Sequence, residues 1–263
     1  MLWALLISGL AWAGAPVDVA RYPCCRAISP IQVDGKLEEL AWQVAPRVGK
    51  FAKVGRFCGE AIPRSDTRPR YRTEAMMLWD ERYFYVAFAC EDRDMWATKF
   101  GRDDHLWEEE VVEVFVDPDG DGKDYAELEV NPLNIVVDLK ITAWPFPKGG
   151  VKEGDVEWDI EGLKTAVRAE GTVARSHDAP ERKDEDLGWT VEIAIPWDAL
   201  ADIPGAGGAP PRPGDQWRVN LYRIERPRDG RDEFLAWSDV RFLNFHMPRY
   251  FGVVEFVEPY GSP

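Results

Sequence analysis

The sequence predicts an all-β protein, a single antiparallel β-sandwich over residues 27–258. Three observations predict it. From Thr73 onward, short runs of alternating apolar and polar residues recur, the pattern of strands that bury one face. Turn chemistry separates the runs, as in Asp80-Glu-Arg82, Asp117-Pro-Asp-Gly-Asp-Gly122 and Asn131-Pro-Leu-Asn134. Helical periodicity is nearly absent, and no shift in composition marks a linker to a second domain.

Residues 37–45 predict a short helix, the main helical signal in the chain. Strands follow at 74–80, 83–90, 110–117, 125–131, 134–141, 163–169, 189–195, 217–225 and 252–257. Alternation in 189–195 is the cleanest: Trp189, Val191, Ile193 and Ile195 share one face. In 110–117, Val112, Val114 and Val116 share one face, and Val111, Glu113 and Phe115 the other. A single helical turn is expected at 197–200 after Pro196. The Gly/Lys-rich 145–154, the charged 176–186 and the Gly/Pro/Ala-rich 203–214 lack apolar period and predict loops.

Hydrophobic residues make up 45% of the chain and include 12 Trp, enough for a packed core. Against 32 Lys and Arg stand 47 Asp and Glu, a formal charge of −15, spread along the chain. Such a surface excludes nucleic acid and anionic membranes, which both need clustered cations. Neutral sugars, cations or a basic protein partner remain.

Residues 1–15 are apolar, too short to span a bilayer, and end in Ala13-Gly-Ala15. They predict a cleaved signal peptide, hence an exported protein, periplasmic or extracellular, with no membrane insertion after cleavage. Cys24, Cys25, Cys58 and Cys90 are compatible with disulfides or with buried thiols, and none has metal-ligand spacing.

The segment from Asp103 to Gly120 carries the functional signal. Trp107 precedes a run of carboxylates on a strand, and Glu113 lies among apolar neighbours on its face. That combination suits a polyol with an apolar ring face and a rim of hydroxyls. Asp117, Asp119 and Asp121 have the D-x-D-x-D-G spacing that folds carboxylates around calcium. The glutamate that closes a full calcium loop is replaced by Leu128, and a hairpin turn needs the same Asp and Gly residues. Glu113 with Glu127 or Glu129 could form a hydrolytic carboxylate pair. No nucleophile elbow or His-Glu-x-x-His motif is present, so the expectation is binding without catalysis.

The order of motifs resembles carbohydrate-binding module family 9. The stretches are Ile31-Gln-Val-Asp-Gly-Lys-Leu-Glu-Glu-Leu-Ala-Trp42, Met77-Leu-Trp-Asp80 with Tyr83-Phe-Tyr-Val86, and Trp107-Glu-Glu-Glu-Val-Val-Glu113-Val-Phe-Val-Asp117. Glu129-Val-Asn131, Gly188-Trp-Thr-Val-Glu-Ile-Ala-Ile-Pro-Trp197, Trp217-Arg-Val-Asn220, Ala236-Trp-Ser-Asp239 and Phe251-Gly252 follow in the family's order. The resemblance implies a jelly-roll-like sandwich related to DOMON-type domains, appended in its best understood members to polysaccharide-degrading enzymes and holding calcium. It implies a sugar terminus clamped by two aromatics, here Trp107 and Phe245, with Glu113 as hydroxyl partner. Two positions depart. Glu129 stands where sugar-binding members carry an arginine, and Phe242 where they carry a ligand-bonding asparagine. A carboxylate accepts where a guanidinium donates, so Glu129 enters as a second hydroxyl acceptor and the family's ligand is not carried over. The resemblance also admits a module that has lost sugar binding. Haem-holding relatives of the fold draw attention to Met76, Met77, His246 and Met247.

Overall fold

The computed structural model describes residues 17–54, 68–143, 151–176 and 185–259. The expected signal peptide, Cys58, most of the 176–186 loop and the start of 145–154 lie outside the described residues.

The elements run β1 (Arg21–Arg26), α1 (Leu40–Val44), β2 (Ala52–Lys53), β3 (Thr73–Trp79), β4 (Tyr83–Glu91), β5 (Val111–Asp117), β6 (Tyr125–Val130) and β7 (Val136–Ala143). They continue with β8 (Val151–Asp155), β9 (Lys164–Glu170), β10 (Gly188–Pro196), β11 (Gln216–Glu225), β12 (Glu233–Ala236) and β13 (Gly252–Val257). Hydrogen bonding follows the path β8-β7-β6-β5-β11-β13-β1-β3-β4-β10-β9, with β12 attached to β11 and β2 to β12. This sheet curls on itself into two layers, the β-sandwich expected from the alternation.

One expectation is corrected. The sheet is mixed, because β1 runs parallel to both β13 and β3. Pro23, which has no N–H to give, and the charged ends of Arg-Tyr-Pro-Cys-Cys-Arg hide β1 from a pattern reading. β8 forms within the segment read as a loop; it is an edge strand with charges and a glycine, the usual composition of a protected edge. β12 is too short to show a period.

Apolar packing falls into three layers. Between the sheet halves, Val112, Val114 and Val116 meet Met77, Trp79, Phe84, Val86, Trp189, Val191, Ile193 and Ile195. This is the alternation the sequence displays, now closed from both sides. On the outer face of the β3–β4–β10 half, Trp42 of α1 covers Met76, Leu78 and Ala87. Glu192 fixes that lid: its carboxylate accepts from the Asp34 and Gly35 amides and from the Trp42 indole. Gly35 is required there, since its φ is +82° and a Cβ would lie 2.9 Å from the Arg168 nitrogen. The third layer, on the outer face of β5–β6–β7–β11, holds Val111, Phe115, Tyr125, Val137, Tyr222 and Phe251. It forms the foundation of the site.

Cys24, Cys25 and Cys90 are buried free thiols. The register explains why the Cys24–Cys25 pair does not bridge to Cys90: Cys25 pairs with Leu78 at one end of β3, and Cys90 with Thr73 at the other. Burial pushes the Cys90 thiol up to about 12, which leaves it protonated and unreactive at neutral pH.

Candidate functional site

Trp107, Glu113, Glu129 and Phe245 line one cleft of about 450 Å³ on the outer face of the β5–β6–β7–β11 half. Alternation puts them there. Because β5 turns its even-numbered valines inward, Val111, Glu113 and Phe115 point out, and on β6 Tyr125, Glu127 and Glu129 do the same. The antiparallel register sets Glu113 opposite Glu129 on one side and Tyr222 of β11 on the other.

Trp107 sits on a 3-10 turn, Leu106–Glu108. Leu106 is fully buried and anchors the turn, while Trp107 is 36% exposed. Its ring stacks on His105 at 4.5 Å, and Arg226 donates to its carbonyl at 3.2 Å. Glu109 holds the turn to the preceding loop by accepting from the Thr98 and Lys99 amides. Phe245 enters from the segment before β13. Its ring lies flat on Tyr222, 4.1 Å between centroids and 12° between planes, and the Tyr222 hydroxyl donates to its carbonyl. Phe234 of β12 meets it edge-on at 6.2 Å.

Three carboxylates form the floor. Glu113, Glu127 and Glu129 are all buried, and their oxygens lie within 4.8 Å of one another. Burial, reinforced by the mutual repulsion of the carboxylates, holds the Glu113 and Glu129 carboxyls well above the usual range. Burial likewise pushes Glu127 up to about 7. Neither oxygen of Glu129, nor Oε1 of Glu113, has a partner at full hydrogen-bond geometry; the Trp107 backbone and the Glu127 carboxyl act on Glu129 from slightly farther off. Among the described residues no Lys or Arg pairs with any of the three. His246 is the nearest base, with Nδ1 3.9 Å from Glu127 and 2.8 Å from the Tyr125 hydroxyl. Burial lowers His246 to about 4, so the ring is neutral. Arg226 lines the rim, paired with Asp232, and its Nε donor is unengaged.

Chemically, the cleft offers two aromatic faces, a floor of acceptors and a rim of donors. Glu127, Phe234, Arg226 and Asn244 complete it and were not singled out as ligand groups from the sequence. Glu127 was within reach, since it shares a strand face with Glu129 two residues on; Phe234 and Asn244 carry no local signal. The haem set does not assemble: Met77 lies between the layers, Met76 under α1, and Met247 beneath the cleft.

Asp117, Asp119 and Asp121 do converge, their oxygens also within 4.8 Å. Each already serves the β5–β6 turn. Asp117 accepts from the Gly120 and Gly122 amides, Asp119 from the Asp121 amide, and Asp121 from the Lys123 amide and ammonium. Turn geometry alone therefore accounts for the motif, and the remaining lone pairs are what an ion would use.

A second acidic cluster, absent from the sequence reading, lies at the end of the inter-layer core. Asp92, Glu110 and Glu225 are buried around Arg223, whose guanidinium also donates to Thr73 Oγ1 and the Glu91 carbonyl. It ties β11 to β3 and β4.

Among the described residues no helix is long and apolar enough to cross a membrane. The chain's fold matches a candidate carbohydrate-binding protein from Bacteroides uniformis ATCC 8492 at a TM-score of 0.62 and 17% identity, covering 91% of this chain and 100% of that one. It also matches a carbohydrate binding module family 9 from Caldicellulosiruptor kristjanssonii, solved with cellotriose (TM-score 0.58) and with glucose (0.55). Both of those alignments are at 15% identity and cover 92% of this chain and 98% of that one. No curated protein matches the chain. The family model described as Carbohydrate family 9 binding domain-like matches residues 33–258, the greater part of the sequence. By that match the chain belongs to the carbohydrate family 9 binding domain-like family.

Proposed function

We propose that this chain is an exported, non-catalytic carbohydrate-binding protein that holds a sugar terminus or short glycan in the Trp107–Phe245 cleft, in the service of polysaccharide catabolism. One observation carries the reading: an exposed Trp and a stacked Phe, far apart in sequence, wall a single cleft whose floor is acceptors. A pyranose presents C–H groups on its faces and hydroxyls round its edge. The faces pack on Trp107 and Phe245, worth about 0.5–1.5 kcal/mol beyond the area buried. The hydroxyls donate to Glu113 and Glu129, and Arg226 Nε is left to donate to a ring or hydroxyl oxygen.

Binding without turnover is the better reading of the carboxylates. Glycosidases place theirs about 5–9.5 Å apart, on either side of the scissile bond. Here all three lie on two adjacent strands and form one wall of the cleft, leaving, among the described residues, no carboxylate on the opposite side.

Intrinsic tryptophan fluorescence, titrated with mono- and oligosaccharides, tests the proposal. A saturable shift is expected. Trp107→Ala, which removes an exposed ring, is expected to keep the fold, abolish the shift and weaken binding by about 1.5–3 kcal/mol. A folded protein that shifts with no sugar in the panel would leave this chain as a sugar-independent interaction module. Calcium at Asp117, Asp119 and Asp121 is a lesser part of the proposal. A rise in melting temperature with calcium, reversed by chelator and lost in Asp119→Asn, supports it; no rise leaves a plain hairpin.

A further inference from the structure

From the floor of this cleft we infer the class of sugar it takes: a cationic amino sugar, whose protonated amine is held by Glu113, Glu127 and Glu129. This rests on the sugar-binding reading above and narrows it.

Three carboxyls are buried side by side, among the described residues none has a Lys or Arg partner, and three of their oxygens lack a partner at full hydrogen-bond geometry. The other titratable groups on the cleft do not neutralise them. Arg226 is engaged with Asp232 and with the Trp107 carbonyl, His246 is neutral, and the Tyr125 phenol is held protonated by its burial. A neutral sugar would bond to such a floor only while protons, shared among the carboxyls, keep it uncharged. A cation replaces those protons and satisfies the lone pairs directly.

Geometry agrees with an ammonium group. Its three N–H donors reach acceptors at roughly 2.8 Å, which places those acceptors about 4.6 Å from one another. The three carboxylates offer oxygens all within 4.8 Å. The rest of the cleft favours an organic body over a bare ion. Leu139, Ile141, Phe234, Phe245 and Trp107 surround the acidic floor with apolar surface, in a volume fit for a sugar ring. An aromatic wall also attracts a cation in its own right.

Calorimetric titration of the full-length protein near pH 6.5 tests this, with glucosamine and its β-1,4 dimer and trimer set against glucose, cellobiose and cellotriose. The two series differ in little but an ammonium for a hydroxyl. At least tenfold tighter binding of the amino series is expected, with the preference collapsing in Glu129→Gln and in Glu127→Gln. The melting temperature of each variant, read alongside, certifies that it is folded. Equal or tighter binding of the neutral series would overturn the inference while leaving sugar binding intact. Binding of neither series would remove the sugar reading and this one with it. Calcium or manganese alone, if either raises the melting temperature and loses that effect in Glu129→Gln with no preference for amines, would make the triad a metal site instead.

Discussion

Replacing Arg223 with leucine is expected to lower stability by about 3–5 kcal/mol, the usual loss when one partner of a buried ion pair is removed. Arg223 has no solvent exposure, and among the described residues it is the cation in direct contact with both Asp92 and Glu225. Its guanidinium donates to both Asp92 and Glu225 and to two further acceptors on β3 and β4. Leucine would fill part of the space and leave the three carboxylates without their guanidinium partner. For a domain of this size the change corresponds to a fall in melting temperature on the order of 10 °C. Lysine, a single point donor, is expected to recover only part of it, because it cannot fork between β11 and the β3–β4 pair.

The direction with pH follows from the shifts already present. Burial raises Asp92 and Glu110, and pushes Glu225 up to about 8 even beside the arginine. Without the guanidinium these groups rise further, so their protonated forms suit the variant better. The deficit of Arg223→Leu should therefore be smallest near pH 5 and largest near pH 8, as read from thermal melts. A deficit independent of pH would mean that packing, and not the charge, is what the arginine supplies.

The second large effect is a gain in stability. Glu129→Gln is expected to stabilise the ligand-free protein at pH 8 by on the order of 1–2 kcal/mol, read as a higher melting temperature, while abolishing the preference for the amino series. Glu129 is wholly buried and neither oxygen has a partner at full hydrogen-bond geometry, so an amide there avoids the penalty of ionising a desolvated carboxyl. The same signature is expected in wild-type stability. Glu127 and Asp117 sit at about 7 and Glu225 at about 8, all raised above the unfolded values near 4. A raised carboxyl contributes fully while protonated in both states, and its contribution is lost as pH climbs through the folded value. Stability should then fall between about pH 4.5 and pH 8, and Glu129→Gln should flatten that slope. Bound ligand should flatten it too, by occupying the same lone pairs. A wild-type melting temperature that rises across that window would contradict the electrostatics of the floor. Such an arrangement, in which buried carboxyls weaken the fold as they ionise, is the kind of local cost that functional sites carry.

Much of the fold was legible because its signals are local. The alternation in β5 and β10 assigns every one of their side chains to a face, and the structure honours both assignments. The turns at Asp80, Asp117 and Asn131 read correctly, since Asp and Asn carboxyl and amide groups bond their own backbone two to five residues on. The resemblance was legible for the same reason: its motifs are strand and turn grammar in a fixed order. β1 was not, because its strand character comes from two flanking partners distant in sequence, β13 and β3, and not from its own residues.

Of the candidate site, the sequence by itself determined which residues could take part. Trp107 and Glu113 are placed by the composition of one segment, and Glu129 and Phe245 by the resemblance built on it. It also determined the excess of acid that makes cations welcome. Only the tertiary structure decided that these residues meet. Register sets Glu113 against Glu129, the alternation of β6 adds Glu127, and the chain crossing before β13 brings Phe245 and His246 over the same floor. Whether a carboxylate is solvated and cheap or buried and unpaired depends on what the rest of the chain places above it. That is a property of packing between distant segments, and no local pattern encodes it.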